Sequence, residues 1–457
     1  MVTPATGLLR AGVAKLDITP PLDTPIAGSF NERRAVDVDD PLYARALVLE
    51  VGDVRLALVA CDIICWPTAD VAHTRSLIAA RTGIPQQQVQ LAATHTHTAA
   101  SPTGLLGTPR AEAYMEALPA RVTSAVEIAA RRLRPARLGH ATVPVDGVTF
   151  CRRFRLRDGT VRMNPRRNDP DIVEPVSPID PALTVLYLEE AESRAPLALW
   201  ANFTLHYVGA DHGDAVSADY FGRFARIVEV ALGGGAMALL TNGASGQING
   251  IDVHDVSQPS GAYQSERVAR VVAGGALRAA GSARLQEQVT LAGAARTIQV
   301  DRRRVTAEDI RLSEQILSVP EGQQPSGLPP GPFSWVAGQE LPANVLHAYA
   351  REMPLLAALP EQLPAEVQAL RVGDLAIVGL PGEIFVELGL AIKAASSAPS
   401  TAVVGLANGY LGYVPDRAGY EQGGYETWAA RSSAVEPGTG EALVAAANSL
   451  TAELFGR

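Results

Sequence analysis

The stretch RALVLEVGDVRLALVA at residues 45–60 decides the fold class predicted for this chain. Two runs rich in branched and aliphatic side chains, 45–49 and 55–60, flank the tripeptide Val51-Gly52-Asp53. Runs of this kind favour β-strands, and the Gly-Asp pair between them has the turn chemistry of a β-hairpin. The stretch therefore predicts two antiparallel strands.

A helix and a third strand are predicted directly after this hairpin. Residues 68–80 have helical periodicity, and residues 88–93 are strand-like before the polar stretch 94–101. Further helices are predicted at 111–132, 219–232, 265–280 and 344–356, and further strands at 183–188, 197–203 and 236–241. This alternation favours an α/β fold with a layered mixed β-sheet core flanked by helices. Since no flexible linker divides the chain, we expect one domain over residues 1–457.

Residues 370–375 repeat the Val-Gly-Asp turn and are followed by an apolar strand, a Pro-Gly turn and a predicted helix at 383–395. A Gly-Asp turn is common in any mixed sheet, so the repeated tripeptide is weak evidence for an internal duplication. Residues 405–413 are expected to form a strand that passes into a Gly-rich loop. The Pro/Gly-rich stretch 318–344 predicts either a lid over a site or a plain surface excursion.

Composition excludes several classes of protein. The 457 residues are 47% hydrophobic and 19% charged, and the net charge of −9 offers no basic field for nucleic acid. No apolar run approaches the roughly 20 residues that cross a bilayer, and no secretory signal is evident, so we expect a cytoplasmic protein. Three scattered cysteines argue against a disulfide framework or a thiolate zinc site, and we expect them in the core.

The sharpest chemical feature is ATHTHT at residues 93–98, directly after a predicted strand. Residues two apart on an extended segment face the same side, so His95 and His97 can converge on one metal ion. Imidazole nitrogen is a good zinc ligand, although a His-x-His pair also occurs by chance in loops. Spacing alone makes both histidines candidate ligands.

Two further residues could complete such a site. His206 follows the strand at 197–203 and is either a third ligand or a hydrogen-bonded core histidine. Glu383 is either a carboxylate ligand or a cap at the start of the helix predicted there. The polar residues Asp211, His212 and Asp214 are a weaker second cluster, because a Gly-flanked loop supplies such residues freely.

The Gly-rich loop at 241–250 follows another strand and could aim its amides at a ligand, as an oxyanion or carbonyl cradle. Ser245 invites interpretation as a nucleophile. The residue two after it is Gln247 rather than glycine, so the loop lacks the nucleophile-elbow pattern and a serine hydrolase is disfavoured.

In their order along the chain, these segments resemble the catalytic N-terminal domain of the neutral ceramidase family. The landmarks cover nearly the whole chain: residues 11–20, 93–98, 202–206, 217–220, 380–383 and 408–413, followed by Tyr425. The resemblance implies that zinc is held by His95, His206, Glu383 and Tyr413. It also implies that His97 and Tyr425 lie in the surrounding active site and that Arg152 contacts substrate.

Two departures from the family change the expected chemistry. Family ceramidases carry a serine in a Gly-Asp-x-Ser-Pro-Asn setting, which falls on residues 244–249 here and places Gln247 at the serine position. A covalent serine mechanism is therefore not expected. The immunoglobulin-like C-terminal domain of larger relatives is also missing from this sequence. We expect a shortened, bacterial-type relative that acts on a smaller amide without stable membrane anchoring.

The sequence thus predicts zinc-dependent hydrolysis of a linear or cyclic N-acyl amide by a zinc-activated water. His97 would move the proton, Tyr425 or Arg152 would donate to the oxyanion, and the loop residues Gly243, Ser245, Gln247 and Asn249 would orient the acyl group. Two alternatives stay open: a biosynthetic zinc enzyme that catalyses cyclisation, amide formation or elimination, and a non-catalytic metal-binding module. The expected partner is a small molecule, with homo-oligomerisation left open.

Overall fold

The computed structural model describes residues 4–209, 213–323, 325, 328 and 341–456. Its strands are β1 Ala5–Leu8, β2 Arg10–Asp17, β3 Pro25–Ile26, β4 Arg33–Arg34, β5 Asp37–Val38, β6 Tyr43–Val51, β7 Val54–Cys61, β8 Val89–Ala93, β9 Arg134–Pro144, β10 Phe150–Cys151, β11 Arg153–Leu156, β12 Val161–Met163, β13 Ile172–Pro175, β14 Ala182–Glu190, β15 Pro196–Phe203, β16 Ala215–Val216, β17 Met237–Asn242, β18 Ile248–Asn249, β19 Gln288–Asp301, β20 Gln362–Val372, β21 Leu375–Gly379, β22 Glu383–Ile384, β23 Ser400–Val404 and β24 Tyr413–Val414. Its α-helices are α1 Thr68–Thr82, α2 Glu112–Arg131, α3 Asp219–Leu232, α4 Gly261–Ser282, α5 Ala307–Leu317, α6 Ala343–Ala357, α7 Val386–Ala395, α8 Arg417–Gln422 and α9 Thr439–Phe455.

Two large sheets form the centre of the molecule. One has eight strands in the order β17-β15-β14-β9-β2-β6-β7-β8, and the other has five in the order β1-β19-β20-β21-β23. They share one apolar core, in which Leu47 and Leu49 of the first sheet join Leu370 and Ile377 of the second. Helices α1 and α2 pack in a second cluster against the first sheet, and α3 and α4 pack in a third. The predicted layered α/β fold is confirmed.

One structural unit occurs three times in these sheets: a β-hairpin, a helix, and a strand that returns parallel to the second strand of the hairpin. The units are β6-β7-α1-β8, β14-β15-α3-β17 and β20-β21-α7-β23. The repeated Val-Gly-Asp turns at 51–53 and 372–374 belong to the hairpins of the first and third units. Because paired parallel strands end at the same edge, each unit directs two loops toward one side of its sheet.

Two local predictions were wrong. The helix expected from residue 383 begins at Val386, and Glu383 lies instead in β22, which pairs in parallel with β24. Helix capping therefore does not account for Glu383. The strand expected at 405–413 lies earlier, at Ser400–Val404, because pairing with β21 ends there and the chain turns back over the sheet edge. Most of the stretch 318–344, where a lid was considered, lies outside the described residues.

The long strand β19 was not predicted. Its sequence QVTLAGAARTIQVD mixes small, polar and charged residues and has no sustained apolar run. It is a strand because it pairs with β20 from Leu291 to Asp301 and with β1 at its beginning. Tertiary pairing here overrides a weak local pattern.

Within the described part of the chain, no helix is long and apolar enough to cross a bilayer.

Replacement of Gly12 tests the packing of β2 on α2. A Cβ at this position would lie 2.1 Å from the carbonyl oxygen of Ala129, which belongs to backbone and cannot move aside cheaply. We expect Gly12→Ala to lower the free energy of unfolding by about 1–3 kcal/mol, as overpacking does. Gly274→Ala is the matched control, because a Cβ there meets nothing within 4 Å and alanine favours the helix. Urea unfolding midpoints measure both, and equal midpoints would contradict the packing.

Candidate metal centre and active site

Loops at the ends of strands bring three of the predicted ligands together. His95 comes shortly after β8, His206 shortly after β15, and Glu383 shortly after β21. The three side chains are almost fully buried, with relative exposures of 2%, 1% and 4%. The backbone of His95 has a φ of 70°, an unfavourable value for a residue with a side chain. Such strain is typical of functional sites, where the surrounding structure holds it in place.

Each imidazole of the cluster has its Nδ1 atom next to a backbone carbonyl oxygen. The partners are Ile64 for His95 at 2.6 Å, Ser245 for His206 at 3.2 Å and Gly28 for His97 at 3.3 Å. A carbonyl oxygen only accepts hydrogen bonds, so Nδ1 carries the proton in each neutral ring. The Nε2 atom of each ring then presents a lone pair.

These lone pairs face one another. The Nε2 atom of His95 lies 3.1 Å from Nε2 of His206 and 3.2 Å from Nε2 of His97. The Oε2 atom of Glu383 lies 3.3 Å from Nε2 of His95 and 3.5 Å from Nε2 of His206. This buried oxygen has no hydrogen-bond partner among the described residues. Four acceptor atoms thus converge without a donor between them.

The donor set fits a metal ion. Zinc bonds to imidazole nitrogen at roughly 2.0–2.1 Å, which in a tetrahedron separates ligand atoms by about 3.3 Å. The separations among His95, His206 and Glu383, the three residues that would hold the ion, span 3.1–3.5 Å. Burial holds the pKa of His97 and His206 well below the usual range, so both rings are neutral, as metal binding requires.

Glu383 stays ionised at this site. Burial alone would raise the pKa of its carboxyl group, but the charge of Arg152 and the hydrogen bond from Tyr410 act in the opposite direction, and the pKa lies below its ordinary value. The Tyr410 hydroxyl donates to Oε1 at 2.8 Å, which leaves Oε2 facing the imidazoles. The carboxylate is therefore oriented as a ligand.

His97 lies closer to the cluster than its role in the sequence-based resemblance implies. The ligand atoms of His95, His97 and His206 all lie within 4.8 Å of one another. Its ring stacks on Tyr207 with centroids 3.6 Å apart, and a Cβ on Gly28 would come within 2.6 Å of the ring. Gly28, with a φ of 97°, is therefore required for the position of this histidine. Whether His97 binds the metal or moves a proton stays a prediction.

Tyr413 lies beside the cluster. Its backbone pairs with that of Glu383 between strands β22 and β24. Its ring lies nearly parallel to that of His206, with the ring centroids 6.5 Å apart. Its hydroxyl forms a hydrogen bond with the guanidinium of Arg152, and burial raises its pKa well above the ordinary value. Its assignment as a ligand stays a prediction.

Two cavities meet at the cluster. The first encloses about 600 Å³, counting space open to solvent, and its apolar wall comes from Ala27, Ile64, Leu105 and Leu106. The second encloses about 680 Å³ on the same measure, and its polar wall comes from Arg152, Asn164 and Asn249. Both are lined by Gly28, Phe30, His97, Tyr413 and Tyr425. The shared residues mark the place where the two cavities meet, next to the candidate metal centre.

Tyr425 contributes a protonated phenol to both cavities, because burial raises its pKa above the ordinary value. Arg152, which is 4% exposed, lines the second cavity and forms an ion pair with Glu426 at 2.7 Å. The structure thus places both predicted residues next to the cluster.

The residues of the loop predicted to bind the acyl group make different kinds of contact. Asn249 lines the second cavity. The Ser245 carbonyl accepts from His206, and the Gln247 side chain donates to Glu387 at 2.6 Å and accepts from the amide of Val386. A Cβ on Gly243 would lie 2.4 Å from Thr204 Oγ1. In this structure three of the loop residues contact other parts of the protein around the site: Ser245, Gln247 and Gly243. Their contact with substrate stays a prediction.

Several residues at the site were missed from the sequence. Phe30 and Gly28 come from an N-terminal loop that carries no motif, and Tyr207 was passed over although it follows His206 directly. Of the weaker polar cluster, Asp211 and His212 lie outside the described residues. Asp214 is 3.8 Å from Arg33 in an ion pair and is 41% exposed. The three cysteines are buried, as expected, and Cys65 lines the first cavity.

Comparison with solved structures identifies the fold. The neutral ceramidase of Pseudomonas aeruginosa superposes with a TM-score of 0.73 and 21% sequence identity, over 98% of this chain and 75% of that chain. A ceramidase complexed with C2 superposes with a TM-score of 0.72 and 22% identity, over 98% of this chain and 76% of that chain. No protein-family model and no curated protein matches the sequence. The chain has the fold of neutral ceramidase structures, which confirms the predicted resemblance for the fold.

A buried ion pair holds the wall of the first cavity. Glu352 of α6, with a side chain 1% exposed, accepts two hydrogen bonds of 2.8 Å from the Arg431 guanidinium. It also accepts from the Leu106 amide at 2.9 Å, and Arg431 donates to the Gly104 carbonyl. One carboxylate therefore connects α6, the loop around Leu106 and the chain that follows Tyr425.

We expect Glu352→Ala to lower the free energy of unfolding by about 3–5 kcal/mol, because it leaves the partly buried Arg431 without its counter-ion. Glu308→Ala, which removes the exposed partner of Arg311 at a side-chain exposure of 52%, should cost at most about 1 kcal/mol. Thermal unfolding compares the two variants. Similar losses would mean that the buried pair has no special role.

Proposed function

We propose that this protein is a zinc-dependent amide hydrolase that cleaves a small N-acyl amide. The observation that carries the proposal is the buried convergence of three imidazole Nε2 atoms and the unpartnered Glu383 Oε2 at the meeting point of two cavities. The fold supports the reaction class, since the structures it resembles are ceramidases. Amide hydrolysis by the chain itself is our inference.

In the proposal His95, His206 and Glu383 hold the metal, with Tyr413 as the predicted fourth ligand. When bound, Zn²⁺ supplies Lewis acidity toward a carbonyl oxygen and lowers the pKa of water, so no side-chain nucleophile is needed. This agrees with the glutamine at position 247, whose amide is engaged by Glu387 and Val386.

The remaining residues bind and move protons. His97 is neutral and has its Nε2 lone pair inside the cluster, so it accepts a proton from attacking water and returns it to the leaving nitrogen. Tyr425 stays protonated and donates a hydrogen bond to the developing oxyanion, as Arg152 could also do. The stacked ring of Tyr207 keeps His97 in place.

Metal content is the first test. Purified wild-type protein should contain near-stoichiometric zinc, and His95→Ala and His206→Ala should lose both the zinc and the activity. His254→Ala, at an exposed histidine that lines neither cavity, is the matched control and should retain both. Elemental analysis and amide hydrolysis would be followed on the same samples. Full activity after chelation to zinc-free protein would overturn the proposed mechanism.

The size of the substrate is the second test. We expect hydrolysis of small N-acyl amides or lactams to exceed that of long-chain N-acyl sphingoid bases, measured as kcat/KM for release of the free amine. A strong preference for ceramide would contradict the small-amide proposal. A product that differs from the substrate by loss of one water, seen by mass spectrometry, would favour cyclisation or elimination instead.

A further inference from the structure

Two buried arginines lie at or next to the second cavity and share one acid. Arg152 and Arg153, whose side chains are 5% and 1% exposed, share one carboxylate, that of Glu426. The distances from their Nε atoms to Glu426 are 2.7 and 3.4 Å. Two guanidiniums thus share one directly paired acid, so their charge is only partly compensated in a place where an uncompensated charge is costly.

Arg152 is the guanidinium next to the cavity. Its Nε atom donates to Glu426, and its guanidinium also forms a hydrogen bond with the Tyr413 hydroxyl. Its Nη2 atom is buried and has no hydrogen-bond partner among the described residues. Arg153 also has buried nitrogens without such a partner, Nε and Nη1, but it does not line the cavity. It donates to the carbonyl oxygens of Gly419 and Gly423 and lies over the ring of Phe385, at 5.1 Å from its centroid. The unsatisfied donor at the cavity therefore belongs to Arg152.

The two cavities differ in charge. Among the described residues that line the first cavity there is no lysine or arginine, and its wall includes Ile64, Leu105 and Leu106. The second cavity has Arg152 together with Asn164 and Asn249, whose amides are joined by a hydrogen bond of 2.7 Å. A substrate that spans both cavities would thus be apolar at one end and would carry a hydrogen-bond acceptor at the other.

The geometry points to a substrate of defined class: an N-acyl amino acid, whose carboxylate is bound by Arg152 in the second cavity and whose acyl chain lies in the first. A guanidinium matches a carboxylate in shape and charge, and pairing the two satisfies the unpartnered Nη2 and compensates the remaining charge. This assignment rests on the proposed amide hydrolysis and leaves Tyr425 as the donor to the oxyanion.

A pair of amides that differ only in charge tests the assignment on the wild-type enzyme. N-octanoylglycine and N-octanoylglycinamide have the same acyl chain and nearly the same shape. We expect kcat/KM for octanoate release to be about 10- to 100-fold higher for the carboxylate, the range of a charge-assisted hydrogen bond. Equal values would overturn the carboxylate site while leaving amide hydrolysis intact.

Variants locate the effect. Arg152→Gln should bring the ratio between the two amides close to one by selective loss on N-octanoylglycine, and Arg152→Lys should restore part of the preference. Arg155→Gln is the matched control, because Arg155 follows on the same hairpin and makes an exposed ion pair with Glu174 at 3.3 Å. An equal loss on both amides in Arg152→Gln would assign Arg152 to the oxyanion and overturn the inference.

Binding keeps the test independent of turnover. The ketone analogues of both amides, with CH₂ in place of the amide NH, cannot be hydrolysed, and calorimetry measures their Kd on wild type and on Arg152→Gln. Tighter binding of the carboxylate analogue by about tenfold or more, lost in Arg152→Gln, would support the carboxylate site. If the analogue bound in this way but neither amide were hydrolysed, only the proposed function would be refuted. Equal Kd values on wild type would overturn the inference.

Discussion

The structure of the site depends on one electrostatic constraint: the Nε2 atoms of three histidines and the Oε2 atom of Glu383 converge in a largely buried place without a proton to share. Each imidazole has committed its Nδ1 proton to a backbone carbonyl oxygen, so the Nε2 atoms and the Glu383 carboxylate present only lone pairs. Such an arrangement is repulsive in a low-dielectric interior unless a cation lies between the atoms. The surrounding fold must therefore be rigid enough to hold the donors in place.

Rigidity comes from the repeated hairpin-helix-strand unit. Each unit ends its paired parallel strands at the same edge, and the segments that leave these edges carry His95, His206 and, on the short strand β22, Glu383. A loop anchored at both ends by buried strands has little conformational freedom, which explains how a strained residue such as His95 is tolerated. The shared core of the two sheets keeps the third unit in register with the first two.

The charged residues on the two sides of the candidate metal centre are arranged differently. The clamp between Glu352 and Arg431 is complete, with each carboxylate oxygen satisfied, and it supports an apolar wall. The ion pairs around Glu426 are not balanced, since one carboxylate is shared by two arginines. Completed ion pairs are typical of structural supports, whereas a buried donor without a protein partner at a cavity is typical of a binding site. The two cavities therefore differ in the chemistry of their walls.

Local sequence was sufficient for most of the repeated elements, although it misplaced β23, and for part of the site. Apolar runs around the Val-Gly-Asp turns predict the hairpins because strand pattern and turn chemistry act over a few residues, and His-x-His after a strand indicates a metal site for the same reason. Tertiary structure alone decided the rest. β19 exists through its pairing with β20, Glu383 lies on a strand because Tyr413 pairs with it, and Gly28, Phe30, Tyr207 and Glu426 reach the site from segments without a motif. Their proximity follows from long-range packing, which no local pattern encodes.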